Sequence, residues 1–85
     1  MDQVEERVVK IVSRITKTPR ERIRLDTDLR RDLNVDSLQG LQIVAALEEE
    51  FGVTVPDDDL DLYERIESIV VIIRRLTSAT PTATS

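Results

Sequence analysis

A serine stands between an aspartate and a leucine at Asp36-Ser37-Leu38, near the middle of this 85-residue sequence. A serine hydroxyl becomes a nucleophile when a neighbouring base, most often a histidine, takes its proton. The sequence contains no histidine and no cysteine, so neither a Ser–His–Asp nor a Cys–His arrangement can form. Two interpretations of Ser37 remain: an ordinary residue at the start of a helix, or a hydroxyl that another protein modifies.

Metal and phosphate chemistry receive little support. Asp57, Asp59 and Asp61 alternate as at the start of a calcium-binding loop. Such a loop needs glycine at its sixth position and glutamate at its twelfth, where this sequence has Leu62 and Ser68. We therefore favour a solvated acidic turn over a calcium site, and there is no glycine-rich phosphate loop. No residue set can run a reaction by itself, so we expect a protein that is not an enzyme.

Charge is divided unevenly along the chain, whose formal net charge is −5. Residues 1–35 carry nine Lys/Arg and seven Asp/Glu, whereas residues 36–76 carry three and ten. An acidic half disfavours nucleic acid and anionic membranes as partners and favours basic protein surfaces. No apolar run approaches the length of a membrane span, and no stretch near the N-terminus has the length of a signal peptide. We expect a cytoplasmic monomer.

The composition predicts an all-α fold, with 40% hydrophobic residues, two glycines and three prolines. Apolar residues three and four apart predict a first helix from about Gln3 to Thr16 and a last helix from about Arg65 to Leu76. Residues 57–62 form at most one short helical turn, and residues 17–35 are a long loop. We assign residues 1–76 to one domain and residues 77–85 to a disordered tail. The positions predicted to face the core are Val4, Val8, Ile11, Val12 and Ile15 in the first helix, Ile23, Leu25, Leu29, Leu33 and Val35 in the loop, and Ile66, Ile69, Val70 and Ile73 in the last helix.

The helix that begins at Ser37 and ends near Phe51 is the best-marked element. Asp36 is a favourable N-cap, Gln39 completes a capping box, and Gly52 is a typical C-terminal stop. This helix has two apolar faces, although a helix of a small bundle needs only one. The core face comprises Ile43, Val44, Leu47 and Phe51; the second face, Leu38, Leu41 and Ala45, is surplus and therefore available to partners.

Five arginines make the long loop basic. Such a set more often pairs with the acidic surface of its own protein, and contact with a phosphate-bearing ligand or an acidic partner is the alternative. The run of three glutamates in the middle helix is equally open between a solvated face and a docking surface. The arginines are Arg20, Arg22, Arg24, Arg30 and Arg31, and the glutamates are Glu48, Glu49 and Glu50.

Taken together, these segments resemble the acyl carrier protein family across nearly all of residues 2–76. The resemblance is carried by VEERVVKIV in the first helix, DLNVDSL before the second and ALEEEFGVTVPDDD through and beyond it. It implies a four-helix bundle of three longer helices and a short third helix, with a long loop between helices 1 and 2. It also implies that a separate transferase moves 4′-phosphopantetheine from coenzyme A onto Ser37, flanked by Asp36 and Leu38. The thiol of this arm carries acyl groups as thioesters, which accounts for a chain without cysteine or histidine.

The position of Ser37 agrees with that implication. As the first residue of a helix, its oxygen lies where free backbone N–H groups and the positive end of the helix dipole favour an anionic phosphodiester. The resemblance further implies a docking surface and an acyl-receiving cleft. The docking positions are Leu38, Leu41, Ala45, Glu48 and Glu49, and the cleft positions are Ile43, Leu47, Ile66 and Ile73, which also pack as core.

Three positions depart from the family pattern. Asn34 stands where a glycine is common, although asparagine also tolerates a left-handed backbone. Gln39 and Gln42 stand where carriers of fatty-acid synthesis often have acidic residues. We therefore favour a carrier for polyketide or another specialised biosynthesis over fatty-acid biosynthesis, with a phosphopantetheinyl transferase, an acyltransferase and a ketosynthase as partners. The alternatives are an aminoacyl or peptidyl carrier of a nonribosomal pathway, which the acidic LEEEF helix disfavours, and an unmodified interaction module with the carrier fold.

Overall fold

The fold is all-helical in a computed structural model that describes residues 3–56 and 64–79. Helix α1 spans Gln3–Thr16, α2 spans Leu29–Leu33, α3 spans Ser37–Phe51 and α4 spans Ile66–Ala79, with a short 3₁₀ helix at Arg20–Arg22. The predicted bounds of α1 and α3 are confirmed, and α4 ends three residues later than predicted. The short helix predicted within residues 57–62 lies outside the described residues, as does the tail from residue 80.

Helices α3 and α4 both run antiparallel to α1. Arg7 near the start of α1 is paired with Glu50 in the last turn of α3, with 2.8 Å between Nε and Oε2. Glu5 of α1 likewise lies 3.6 Å from Arg74 in the second half of α4. Since both partners run opposite to α1, α3 and α4 are parallel to each other. Ser37 and Ile66, their first residues, therefore lie at the same end of the bundle.

The core is aliphatic and is built by the three longer helices together with anchors from the loop. The predicted core positions are confirmed, with Val4, Ile15, Leu25, Leu33 and Phe51 partly buried at its edge. Val44 was assigned to the core face but is only half-buried. Two buried residues escaped the helical pattern, Val9 and Ile72, because the bundle covers a wider face of α1 and α4 than one stripe. No helix among residues 3–56 and 64–79 is long and apolar enough to cross a membrane.

The loop between α1 and α3 is more ordered than the sequence predicted. It contains the 3₁₀ helix and α2, and its backbone is bonded to the first turn of α4. The N–H of Leu29 donates to the carbonyl of Glu64 (2.7 Å), and the N–H of Glu67 donates to the carbonyl of Leu25 (2.8 Å). The N–H of Ile66 donates to Thr27 in the same way. These bonds fix the loop against the bundle at the end where Ser37 lies.

Helix α2 ends at Asn34, whose backbone is left-handed with φ 60° and ψ 33°. Asn34, which stands where a glycine is common, thus adopts the left-handed backbone that asparagine tolerates. The N–H groups of Asn34 and Val35 both donate to the carbonyl of Leu29, so the chain reverses sharply here. Val35 then enters the core, and α3 begins two residues later.

Replacing Asn34 tests how much this left-handed turn stabilises the fold. A side chain with Cβ and no local hydrogen-bonding group costs about 1–2 kcal/mol in the left-handed region. We expect Asn34→Ala to lower the free energy of unfolding by about 1 kcal/mol, and Asn34→Gly to stay within about 0.5 kcal/mol of the parent protein. Urea denaturation of the three proteins measures both values. Equal losses in the two variants would contradict this account of the turn.

Asp28 caps the start of α2. Its Oδ1 accepts from the N–H of Arg31 (2.8 Å), while its own N–H donates to Oδ2 of Asp32 (2.9 Å). The hydrogen bond from Arg31, with the nearby positive charges of Arg31 and Arg65, lowers the pKa of Asp28 below its ordinary value of 3.8. The folded state therefore favours the charged carboxylate, and Asp28 is part of the support for the turn before Ser37.

This pKa shift predicts a pH dependence of stability. Because the folded-state pKa is lowered, the contribution of Asp28 is complete above its ordinary pKa and is lost as the pH falls through the folded-state value. Asp28→Asn keeps a capping side chain but does not titrate. We expect the free energy of unfolding of the parent protein to exceed that of Asp28→Asn by an amount that shrinks as the pH falls below about 4. Urea denaturation at several pH values measures this difference. A difference in the free energy of unfolding that stays constant from neutral to acidic pH would contradict the prediction.

Candidate functional site

Ser37 is exposed and is the first residue of α3, as predicted. Asp36 is the N-cap, and its Oδ1 accepts from the N–H of Gln39 (2.8 Å). The carbonyl of Asp36 accepts from the N–H of Gly40 (2.9 Å). The first-turn N–H groups of Ser37 and Leu38 precede the bonded part of the helix, where backbone donors have no intrahelical acceptor.

The residues on either side of Ser37 determine that it faces solvent. Val35 is buried, whereas Asp36, Ser37 and Leu38 are all exposed. The chain therefore leaves the core after Val35 and presents the serine hydroxyl beside free N–H groups at the positive end of α3. An exposed hydroxyl with donors beside it fits a covalently attached phosphodiester.

The second apolar face of α3 is exposed as predicted. The side chains of Leu38 and Leu41 are 65% and 58% exposed, and Ala45 is exposed one turn further along. Spacings of three and four residues align these side chains along the helix, beginning directly after Ser37. This surface, which we call the α3 face (Leu38, Leu41 and Ala45), is the longest row of exposed apolar side chains on α3.

The three consecutive glutamates of α3 have three different environments. The Oε2 of Glu48 accepts from the N–H of Val55 (2.8 Å) and attaches the link after α3 to the helix. Glu50 is paired with Arg7. Glu49 is exposed, and its side chain makes no ion pair or hydrogen bond within residues 3–56 and 64–79. Of the three, Glu49 therefore presents its charge without a hydrogen bond or ion pair among the described residues. The sequence did not indicate this difference, because Arg7 is distant in the chain from Glu50 and Val55 lies beyond the end of the helix.

The sequence-based expectation that the loop arginines pair with the protein's own acidic surface is not met by most of them among residues 3–56 and 64–79. The aspartates at 57, 58, 59 and 61 lie outside these ranges. All five arginines are exposed. Among the described residues only Arg31 of this set forms an ion pair, with 3.9 Å between its Nε and the Oδ1 of Asp32, a distance at which an exposed pair contributes little. Within the described part of the chain the other four, which are exposed to solvent, form no ion pair.

The four cleft positions come together in the core. Ile43 and Leu47 of α3 and Ile66 and Ile73 of α4 are each 0% exposed and belong to one hydrophobic cluster. Ile43 and Ile66 lie nearer the Ser37 end, and Leu47 and Ile73 lie deeper in the bundle.

Residues 3–56 and 64–79 hold no group of three or more potential metal-ligating side chains. Asp57, Asp59 and Asp61, the residues that resemble the start of a calcium-binding loop, lie outside these ranges.

Comparison with known proteins agrees with this geometry. A family model described as a phosphopantetheine attachment site matches residues 6–76. "Acyl carrier protein 2" of Pseudomonas aeruginosa is 44% identical over 82 residues, which cover 96% of this chain and all of that protein. The chain belongs to the acyl carrier protein family.

More distant relatives extend the same relationship. "Acyl carrier protein" of Rickettsia bellii is 32% identical over 74 residues, covering 87% of this chain and 86% of that protein. "Acyl carrier protein 2, mitochondrial" of Arabidopsis thaliana is 34% identical over 71 residues, covering 84% of this chain and 56% of that protein.

Membership of the family determines the kind of chemistry at this surface. The carrier is not a catalyst, and its cofactor is a covalently attached 4′-phosphopantetheine. It interacts with the transferase that supplies the arm and with the enzymes of its pathway. These statements agree with the interpretation of the sequence.

The hydrogen bond from Val55 separates the roles of Glu48 and Glu49 in stability. A hydrogen bond to a charged acceptor contributes about 1.5–3 kcal/mol, less when solvent competes. We expect Glu48→Ala to lower the free energy of unfolding by about 1 kcal/mol and Glu48→Gln, whose amide oxygen still accepts, to lower it less. Glu49→Ala is the matched control and should change it by less than about 0.5 kcal/mol. Equal effects at Glu48 and Glu49, measured by urea denaturation, would refute this division.

Proposed function

We propose that Ser37 is the attachment residue for 4′-phosphopantetheine and that the protein carries acyl intermediates as thioesters on that arm. The observation that carries the proposal is an exposed serine at the first position of α3, in a chain that matches a phosphopantetheine attachment family across this region. The attached arm supplies the thiol that the chain lacks. The chain itself supplies the hydroxyl, the helix end and the surface that partners contact.

Ser37, Asp36 and Leu38 have distinct tasks in this proposal. The N-cap bond of Asp36 to Gln39 holds the first turn of α3, so that Ser37 stays at the helix start. The free N–H groups of that turn stabilise the negative charge of the phosphodiester. Leu38 begins the α3 face, so a transferase that binds this face has the hydroxyl beside it.

Partner enzymes dock, we propose, on the α3 face and on the acidic side of α3. Leu38, Leu41 and Ala45 supply apolar contact, and Glu49 supplies a charge for a basic patch. Glu48 belongs to the same surface, but its hydrogen bond to Val55 leaves less of its charge for a partner. Electrostatic attraction of this kind increases the association rate and decreases with salt.

The acyl chain is received between α3 and α4, among Ile43, Leu47, Ile66 and Ile73. Their full burial supports an apolar environment that shields a chain from water, since each buried methylene contributes about 0.8 kcal/mol. The same side chains stabilise the unloaded protein by packing on one another.

Polyketide or another specialised biosynthesis remains the pathway we favour, with an acyltransferase and a ketosynthase among the partners and the cytoplasm as the location. The support is in the residues around Ser37. Gln39 and Gln42 leave the first turns of α3 without acidic charge, and four loop arginines are exposed and form no ion pair among the described residues. The family resemblance implies acidic residues at these positions in many fatty-acid carriers, so we expect this surface to select different partners.

Loading with coenzyme A tests the attachment residue. Incubation with coenzyme A, Mg²⁺ and a broad-specificity phosphopantetheinyl transferase should add the mass of one arm, seen by mass spectrometry of the intact protein. Ser37→Ala should gain none. Ser68→Ala, which removes a hydroxyl from α4, should be loaded like the parent protein. An unchanged mass of the parent protein with several transferases would refute the proposal, as would full loading of Ser37→Ala.

Two further outcomes distinguish the alternatives. Loading of the arm with an amino acid by an adenylating enzyme, together with failure of acyltransferases, would make the protein an aminoacyl or peptidyl carrier. Full activity of Ser37→Ala in cells would make it an interaction module that docks a partner without an arm.

A further inference from the structure

A single arginine of α1 makes three contacts with the last turn of α3. The Nε of Arg7 donates to Oε2 of Glu50 (2.8 Å), and its Nη2 donates to the backbone carbonyl of Glu50 (3.0 Å). The centre of the same guanidinium lies 4.4 Å from the centroid of the Phe51 ring. We call this group the Arg7 clamp (Arg7, Glu50 and Phe51).

The geometry of the Arg7 clamp matters more than its charge. The side chains of Arg7 and Glu50 are 41% and 42% exposed, so solvent screens the ion pair and its contribution to stability is small. The carbonyl of Glu50 belongs to the last turn of α3, where carbonyl groups have no intrahelical donor. One rigid guanidinium therefore satisfies a helix-end carbonyl, pairs with a carboxylate and covers an aromatic ring, which fixes the ring's position between α1 and α3.

Phe51 occupies the far end of the proposed acyl cleft. Ile43, Leu47 and Phe51 follow one another at intervals of four residues along the inner face of α3. Ser37 begins the helix and Phe51 ends it, about 21 Å apart at a rise of about 1.5 Å per residue. Ile43 and Leu47 are fully buried, and Phe51 is half-buried and packs against the same cluster. A chain that enters from the Ser37 end thus meets Ile43 first and Phe51 last.

We propose that Arg7 is a positioning residue that sets the depth of the acyl cleft by holding Phe51 as its floor. The proposal rests on the proposed function, in which the acyl chain lies among these side chains. Separating Ile43 from Ile66, or Leu47 from Ile73, breaks only apolar contacts, which the incoming chain replaces. Displacing Phe51 also separates the ring from the guanidinium, which the two hydrogen bonds to Glu50 hold in place, and an acyl chain does not replace that cation–π contact. Short and medium chains are accommodated above the floor, and longer chains leave their excess methylenes in water.

The test measures how thermal stability depends on acyl length. The parent protein and Arg7→Ala are loaded by the transferase with saturated acyl arms of about four to about sixteen carbons, since each buried methylene adds stability. Mass spectrometry verifies one arm per protein before Tm is measured. In the parent protein we expect Tm to rise with chain length and then reach a plateau. In Arg7→Ala the unloaded protein melts at a lower temperature, and the plateau moves to chains longer by about two or more methylenes.

Matched variants separate this effect from general destabilisation. Asn34→Ala weakens the fold at the Ser37 end and should lower every Tm without moving the plateau. Arg7→Lys keeps the positive charge but lacks the planar fork, and Glu50→Gln removes the charge of the carboxylate. Both should move the plateau in the same direction as Arg7→Ala but by a smaller amount. If Arg7→Ala does not fold, these two variants test the proposal in its place.

The outcomes that overturn the proposal are distinct from failure of the proposed function. An unchanged plateau in Arg7→Ala, with Tm lowered equally for every chain, would show that Arg7 has only a structural role. A Tm that does not depend on acyl length in the loaded parent protein would contradict both the acyl cleft and the role of Phe51 as its floor. If no arm is attached to the parent protein, the proposed function itself is wrong and this inference is overturned with it.

Discussion

The backbone hydrogen bonds between the long loop and the first turn of α4 are the contacts on which the display of Ser37 depends. They join Leu25 to Glu67, Thr27 to Ile66, and Leu29 to Glu64. Without them α2 would be one turn and a half of helix held only by the packing of Leu29 and Leu33 on the core, since so short a helix is unstable alone. With them, α2 ends against the bundle, Asn34 reverses the chain, Val35 enters the core and α3 starts with its first residue in solvent.

The interior has to satisfy two demands with the same side chains. A chain of this size without disulfides depends on complete burial of its aliphatic residues. The proposed cargo requires that part of this core can separate. Both are met when the separable contacts are purely apolar, because an acyl chain replaces them with contacts of the same kind. The directional contacts, such as those of Arg7 with Glu50 and Phe51, lie at the far end of α3, where they limit the separation.

The charged surface is divided in a related way. Of the three adjacent glutamates, one holds the link after α3, one is paired with α1, and Glu49 projects without an intramolecular contact among the described residues. Glu49 and the exposed loop arginines thus lie on different segments of the chain.

The sequence by itself determined the positions of α1 and α3, the N-cap at Asp36, the left-handed residue at Asn34 and the exposure of the face that follows Ser37. These features depend on residues at most four positions apart, through helical periodicity and capping, and local patterns record them. Only the tertiary structure decided that the loop folds as α2, that Glu48 binds Val55, that Arg7 contacts Glu50 and Phe51, and that four of the five loop arginines form no ion pair in the described part of the chain. The fold of α2 depends on the distant start of α4, and the contact of Arg7 with Glu50 joins residues 43 positions apart. Such contacts depend on how helices meet, and no spacing within a helix encodes that.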